Sequence, residues 1–189
     1  MYIDYYILNP KRLNKIKKLD WYNLWIKKSD YIINCYENIK GKNSIIDESI
    51  NYYMVMLDMG ICYLKEYSNY YDYVYIQHGI ILDNNKYIKE DIKERDFAEY
   101  LKYLFYNNYD IEKVYNLIKN GNDFNYNLVV ARLLYPSYYL FYLEEFVINN
   151  NDYDKLLYII NRTNEYEVYV KSVVSEMNNF LSKKIVLPF

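Results

Sequence analysis

Apolar residues recur at steps of three and four positions through most of this 189-residue chain. That spacing places their side chains on one face of an α-helix, so the pattern predicts a succession of amphipathic helices. Only the run 73–77 alternates as a β-strand does, and residues 87–92 can form a second short strand. The periodicity therefore predicts a mainly α fold, a helical domain with one small β-hairpin between residues 73 and 92.

Several residues predict where the helices begin and end, and which side chains of each helix are buried. Asp20 is a predicted N-cap, and Ser44 with Asp47 resembles a capping box in front of the next helix. Pro136 lacks a backbone N–H and must kink or break the helix that contains it. Phe180 is predicted on the buried stripe of the last helix. The stripes of the helices predict six core residues: Trp25, Leu57, Leu101, Leu104, Leu133 and Val173.

Length and composition limit the class of protein. A chain of 189 residues is expected to form one domain, 1–189. Its core is large enough for the domain to fold without disulfide bonds or bound metal ions. A formal net charge of -2 and a pI near 5.5 offer no basic surface, so no duplex nucleic acid is expected as a partner. No stretch approaches the ~18 consecutive apolar residues of a membrane span. Cys35 and Cys62 are expected as free thiols, and the N-terminus is unlike a secretion signal, which together predict a cytoplasmic location.

The most informative local pattern lies at residues 78–100. A His-Gly pair precedes an Asn, a hydrophobic strand ends at an Asp, and an Arg-Asp pair then begins a helix. The matching positions are His78, Gly79, Asn85, Asp91, Arg95, Asp96 and Ala98. The chain therefore resembles a degenerate large (C-terminal) lobe of the choline-kinase/aminoglycoside-phosphotransferase-like kinase family, and within it spore-coat kinase-like proteins. The resemblance covers about residues 20–150, and residues 151–189 would be C-terminal helices and a tail.

The resemblance also implies that the residues of phosphoryl transfer are missing. Ile80 stands where the family has its catalytic Asp, and it cannot accept a proton. No glycine-rich loop is present, and the first 19 residues are too short for the lobe that holds the nucleotide phosphates. Asn85 and Asp91 remain only as weak Mg²⁺ ligands, and Asp83 is a late replacement carboxylate. His78 is expected to brace the loop. We therefore expect no catalytic residue, no cofactor and no dedicated metal site.

Three functions are compatible with these features. The first is a non-catalytic, pseudokinase-like module. It would bind a protein partner or itself through the tyrosine-rich surface that the small lobe covers in the resembled kinases. The second is a divergent small-molecule phosphotransferase whose small lobe is supplied by a separate chain. The third is an unrelated helical interaction protein, such as an inhibitor from a phage or mobile element.

Overall fold

The computed structural model describes residues 17–18, 20–41, 43–67, 73–77, 88–120, 124–149, 152–187 and 189. The helices within them are α1 Trp21–Glu37, α2 Ser44–Glu66, α3 Glu94–Tyr106, α4 Ile111–Asn120, α5 Tyr126–Leu134, α6 Ser137–Asn149, α7 Tyr153–Asn161 and α8 Thr163–Asn178. The strands are β1 Lys17–Lys18, β2 Tyr73–Gln77 and β3 Ile88–Ile92. The prediction of a mainly α fold is confirmed.

The strands form one small sheet in the order β1-β3-β2. β2 and β3 pair antiparallel, with Tyr73 opposite Ile92 and Gln77 opposite Ile88, which confirms the pairing of the two predicted strands. β1 lies parallel to β3 on its other side, with Lys17 opposite Lys89. The periodicity did not predict β1, because two residues are too few to show an alternation of side chains.

The helix boundaries follow local signals, with one correction. Asp20 caps α1 as predicted, and Pro136 lies in the break between α5 and α6. The capping box at Ser44 is wrong by one residue, because Asn43 is the N-cap of α2 and its side chain accepts a hydrogen bond from the Ile46 amide at 3.3 Å. Asparagine caps a helix as well as serine does, so the earlier residue takes that role.

The core is centred on α5, which packs against α2 and α3 and also contacts α8. Every α5 residue except Asn127 is buried, as expected of a helix that is apolar on nearly all faces. All six predicted core residues are buried. Phe180 is 46% exposed and lies two residues beyond the end of α8, so its predicted burial is wrong. The stripe ends with the helix, and the chain turns there.

A glycine permits the close approach of α2 and α5. A Cβ atom added at Gly60 would lie 3.1 Å from the Ala131 carbonyl oxygen and 3.4 Å from the ring of Trp25. The first distance is shorter than ordinary van der Waals contact, and the second is at its lower limit. The absence of a side chain at this position therefore sets how near the central helix lies to α2.

Candidate functional site

Three of the predicted site residues are described by the structure, and they lie at the junction of β3 and α3. Asp91 is in β3, and Arg95 and Asp96 are in the first turns of α3. Arg95 Nη1 lies 3.3 Å from Asp91 Oδ2, so these two predicted residues form an ion pair. His78, Gly79 and Asn85 lie outside the described residues, as do Ile80 and Asp83.

The Asp91 carboxylate is fully buried and bonded within the fold. Its Oδ1 accepts hydrogen bonds from the Trp21 indole Nε1 at 2.6 Å and from the Ile92 amide at 2.8 Å. Its Oδ2 faces Arg95, whose guanidinium provides the countercharge that a buried carboxylate needs. Asp91 thus ties the central strand to α1. Because the carboxylate is 0% exposed, a metal ion from solvent could reach it only if neighbouring residues moved.

A second charged cluster lies one turn further along α3, and no sequence motif predicted a role for it. Lys102 is 2% exposed, and its Nζ donates to Glu99 Oε1 at 3.1 Å, to the Tyr135 carbonyl at 2.7 Å and to Ser137 Oγ at 3.0 Å. An ammonium group has three protons, so these three acceptors satisfy it completely. The cluster therefore joins α3 to the segment between α5 and α6.

Glu99 is the shared acceptor of this cluster. Its Oε1 accepts from Lys102, from Arg132 Nε at 2.7 Å and from Ser137 Oγ at 3.2 Å, while its Oε2 accepts from Ser137 Oγ at 3.0 Å. Burial raises the pKa of Glu99, but the charges of Lys102 and Arg132 outweigh burial and lower it to about 2. Glu99 is therefore ionised under all ordinary conditions.

Burial lowers the pKa of the lysine, whereas it raises the pKa of the glutamate. Desolvation lowers the pKa of the Lys102 ammonium to about 7, although the negative charge of Glu99 opposes that change and Arg132 adds to it. The hydrogen bonds and the charge of Glu99 therefore offset only part of the cost of burying the ammonium. This balance makes Lys102 the group in the cluster that is most sensitive to pH near neutrality.

Arg132 is held by aromatic rings as well as by Glu99. The rings of Trp21 and Trp25 stack with their centroids 5.4 Å apart, and Trp25 stacks on Tyr135 at 4.5 Å. The Arg132 guanidinium carbon lies 4.5 Å from the Tyr135 ring centroid, within the range of a cation–π interaction. One arginine therefore links the aromatic stack to the carboxylate of Glu99.

The cluster opens to an aromatic cleft between α3 and α6, which we call the α3/α6 cleft. Its volume is about 290 Å³, and it is lined by Glu99, Ser137, Tyr138, Phe141 and Tyr142. Phe141 is 54% exposed, whereas the Glu99 side chain is 27% exposed. Burial raises the pKa of Tyr138 to about 12, so its hydroxyl stays neutral. The cleft thus combines one ionised carboxylate with neutral aromatic side chains.

Some residues of this site could have been recognised from the sequence alone. Arg132 is the only charged residue in the apolar run of α5, and an isolated cation in a buried helix requires a partner. Glu99 and Lys102 are three positions apart on one helix, which is a spacing that allows an ion pair. Ser137 follows Pro136 with no such signal. The sequence therefore indicates that Arg132 is buried and needs a partner, but not which residue that partner is.

No family model, curated protein or solved structure matches this chain. In the described part of the chain, no helix is long and apolar enough to cross a membrane. No group of three His, Cys, Asp or Glu side chains among the described residues could hold a metal ion.

Proposed function

We propose that this chain is a non-catalytic, kinase-like protein-binding module whose binding surface is the α3/α6 cleft. The proposal includes the family resemblance of residues 20–150 and a cytoplasmic location, in keeping with Cys35 and Cys62, which are free thiols. It assigns no catalytic residue and no cofactor. The protein partner is either another chain or a second copy of this one.

The environment of Asp91 is the main support for the absence of phosphoryl transfer. In the resembled kinases the corresponding carboxylate holds Mg²⁺, which requires oxygen atoms open to the ion and to the substrate phosphates. Here the carboxylate is 0% exposed and accepts from Trp21, Ile92 and Arg95. A carboxylate used in this way stabilises the junction between strand and helix instead of positioning a metal ion.

The chemistry of the α3/α6 cleft supports protein binding. Aromatic side chains with polar tips bury a large area at low entropic cost, and they are enriched at protein interfaces. Tyr138, Phe141 and Tyr142 offer such rings on one side of α6. Their support is rigid, because Ser137 at the start of the helix bonds to Glu99 and Lys102. A rigid aromatic surface loses little freedom when a partner binds.

A divergent phosphotransferase completed by a separate small lobe is the second candidate. The antiparallel pairing of β2 with β3 favours it, since the resembled kinases carry a strand-loop-strand hairpin at this point. This candidate requires the buried Asp91 carboxylate to become accessible to a metal ion when the second chain binds. The third candidate, an unrelated helical inhibitor, does not require the hairpin.

Calorimetry with Mg-ATP, together with a phosphate-transfer assay on choline and aminoglycosides, tests the absence of catalysis. We expect no tight nucleotide binding and no transfer. Tight binding of Mg-ATP, or turnover that Asp91→Ala abolishes, would overturn the proposal in favour of the phosphotransferase. Asp91→Asn is the matched control, because it keeps an acceptor for the Trp21 indole and separates loss of charge from loss of the fold.

Sedimentation velocity tests whether the cleft mediates self-association. Phe141→Glu places a charge on the cleft, and Phe180→Glu is its matched control, since the two phenylalanines are 54% and 46% exposed. If the partner is a second copy, Phe141→Glu lowers the association and Phe180→Glu leaves it unchanged. Association that only Phe180→Glu disrupts would show that the binding surface lies elsewhere.

A further inference from the structure

We propose that a proton on Lys102 regulates the α3/α6 cleft. While the ammonium is charged, Ser137 donates a hydrogen bond to Glu99, and loss of the proton to solvent breaks that bond. This inference rests on the proposed protein-binding function and adds the way in which the binding surface is controlled. The burial of Lys102, the excess positive charge of its cluster and the hydrogen bonds around the amine support it.

The cluster holds two positive charges and one negative charge. Lys102 and Arg132 both donate to the Glu99 carboxylate, at 3.1 Å and 2.7 Å. The Lys102 side chain is 2% exposed, so water does little to stabilise the excess charge. Of the two cations only the lysine can lose a proton, because a guanidinium stays protonated in proteins. Release of one proton from Lys102 therefore leaves a neutral cluster.

The other ionisable groups that face Lys102 do not change charge near neutral pH. Arg95 on α3 stays protonated and adds positive charge near the ammonium, and Glu99 is ionised. Burial lowers the pKa of Lys102 to about 7, which agrees with the excess charge around it. The tyrosines around Lys102 have their pKa raised above 10 by burial: Tyr53 of α2, Tyr106 of α3, Tyr135 after α5, Tyr138 and Tyr139 of α6, and Tyr166 of α8.

Loss of the proton decides which partners of Lys102 keep their hydrogen bonds. The ammonium donates to Glu99, to the Tyr135 carbonyl and to Ser137 Oγ. A neutral amine has two N–H donors and a lone pair, and the lone pair needs a donor opposite it. Carboxylate and carbonyl oxygens can only accept, whereas the Ser137 hydroxyl has a proton that can rotate towards the amine. The lone pair of the neutral amine therefore faces Ser137.

The rotation of the Ser137 hydroxyl takes a hydrogen bond away from Glu99. In the charged state the hydroxyl oxygen lies 3.2 Å from Glu99 Oε1 and 3.0 Å from Oε2, and it donates to the carboxylate. A hydroxyl has one proton, so it cannot donate to Lys102 and to Glu99 at the same time. Ser137 is the only donor to Oε2 in the described part of the chain. Because Glu99 and Ser137 both line the α3/α6 cleft, the change alters the surface of the cleft.

The charged state of Lys102 is the state that favours an aromatic or apolar partner. A partner that covers the cleft removes Glu99 from water, and a carboxylate oxygen without a donor is then destabilising. Ser137 supplies that donor only while Lys102 is charged. Binding at the cleft should therefore be about tenfold weaker above neutral pH than below it.

Nuclear magnetic resonance of the full chain between about pH 5.5 and 8.5 tests the inference without a partner. We expect the side-chain signal of Lys102 to titrate near pH 7, and the amides of Ser137, Phe141 and Tyr142 to shift with the same midpoint. His78→Asn removes the one histidine of the sequence, and the midpoint should persist in that variant. A Lys102 signal that stays charged over this range, or a midpoint that His78→Asn abolishes, would overturn the inference.

Two variants separate the group that titrates from the group that responds. Ser137→Ala has no hydroxyl to rotate, so Lys102 should still titrate while the shifts of Phe141 and Tyr142 are largely lost. Lys102→Met should abolish the titration and the shifts together. Ser137 is only partly buried, so Ser137→Ala gives a result even if Lys102→Met does not fold. Cleft shifts of unchanged size in Ser137→Ala would refute the role of the hydroxyl.

Unfolding in denaturant provides a second measurement. The pKa of Lys102 is lower in the folded state, so between about pH 7 and 10 the unfolded chain binds one proton more than the folded chain. Lys102 should therefore decrease the unfolding equilibrium constant up to about tenfold per pH unit in this window. The decrease should be absent from Lys102→Met, and an identical pH dependence in the two proteins would count against the titration of Lys102.

The two proposals can fail separately. Association that depends on Phe141 but has equal affinity on either side of neutral pH would overturn the regulation by Lys102 and leave the binding module intact. Cleft amides that follow the Lys102 titration would support this inference even if sedimentation shows the chain to be monomeric, because the partner would then be a different protein.

Discussion

Raising the pH above 10 should unfold this protein steeply, because several tyrosine hydroxyls are buried as hydrogen-bond donors. Tyr166 donates to the Leu133 carbonyl at 2.8 Å, and Tyr169 donates to the Leu101 carbonyl at 2.7 Å. Loss of these protons would leave an anion facing a carbonyl oxygen in the core. Burial accordingly raises the pKa of four buried tyrosines well above 10: Tyr53, Tyr139, Tyr166 and Tyr169.

The sign and size of the effect follow from proton linkage. These tyrosines have a higher pKa in the folded state than in the unfolded state. Their contribution to the free energy of unfolding is therefore fully present below pH 10, and it is lost as the pH rises through the folded-state pKa. Above pH 10 the unfolded chain has released protons that the folded chain keeps, and stability falls with pH. Each group contributes about 1.4 kcal/mol per pH unit, and four together about 5–6 kcal/mol per unit. A domain stable by roughly 5–15 kcal/mol then unfolds within about one to three pH units.

The assay is an alkaline titration followed by tyrosinate absorbance and by far-ultraviolet circular dichroism. We expect exposed tyrosines to titrate first, with helicity retained, and the buried group to ionise in one cooperative step that coincides with the loss of helix. Tyr169→Phe should reduce the slope of stability against pH by about 1.4 kcal/mol per unit, since one proton is removed from the balance. Titration of every tyrosine near pH 10, with the dichroism unchanged, would refute the reasoning.

Three further predictions concern the packing and the charged cluster. Leu104→Ala should lower the free energy of unfolding by roughly 2–5 kcal/mol in denaturant, because Leu104 is 0% exposed; a loss within error would contradict its place in the core. Gly60→Ala should cost roughly 1–3 kcal/mol, since the new methyl group meets the Ala131 carbonyl; an unchanged denaturation midpoint would show that α2 can move away. Because the pKa of Glu99 is lowered to about 2, it contributes about 3 kcal/mol of stability above pH 4.5 that is lost as pH falls towards 2. Denaturant midpoints across that range should change less in Glu99→Gln, and an identical pH dependence would exclude Glu99 as the cause.

Local features of the sequence were sufficient to predict most of the helices, the paired strands β2 and β3, and part of the core. Asp20 and Pro136 mark helix boundaries because their effects act within one helical turn. Leu104 and Val173 could be assigned to the core because a helix repeats its faces every 3.6 residues, whatever it packs against. The same logic mispredicted Phe180, because the repeat has no meaning once the helix has ended.

The composition of the site was decided by tertiary structure. Asp91 meets Trp21 across 70 positions, and Arg132 meets Glu99 across 33. The periodicity of each helix shows which face is buried, yet it contains no information on which helix lies opposite. The α3/α6 cleft exists only because Ser137 at the start of α6 comes to rest on Glu99 and Lys102 of α3. The sequence alone indicates that Arg132 lies within an apolar helix and needs a partner. The packing of α3, α5 and α6 determines which charges neutralise one another, and it leaves one carboxylate oxygen beside an open aromatic surface.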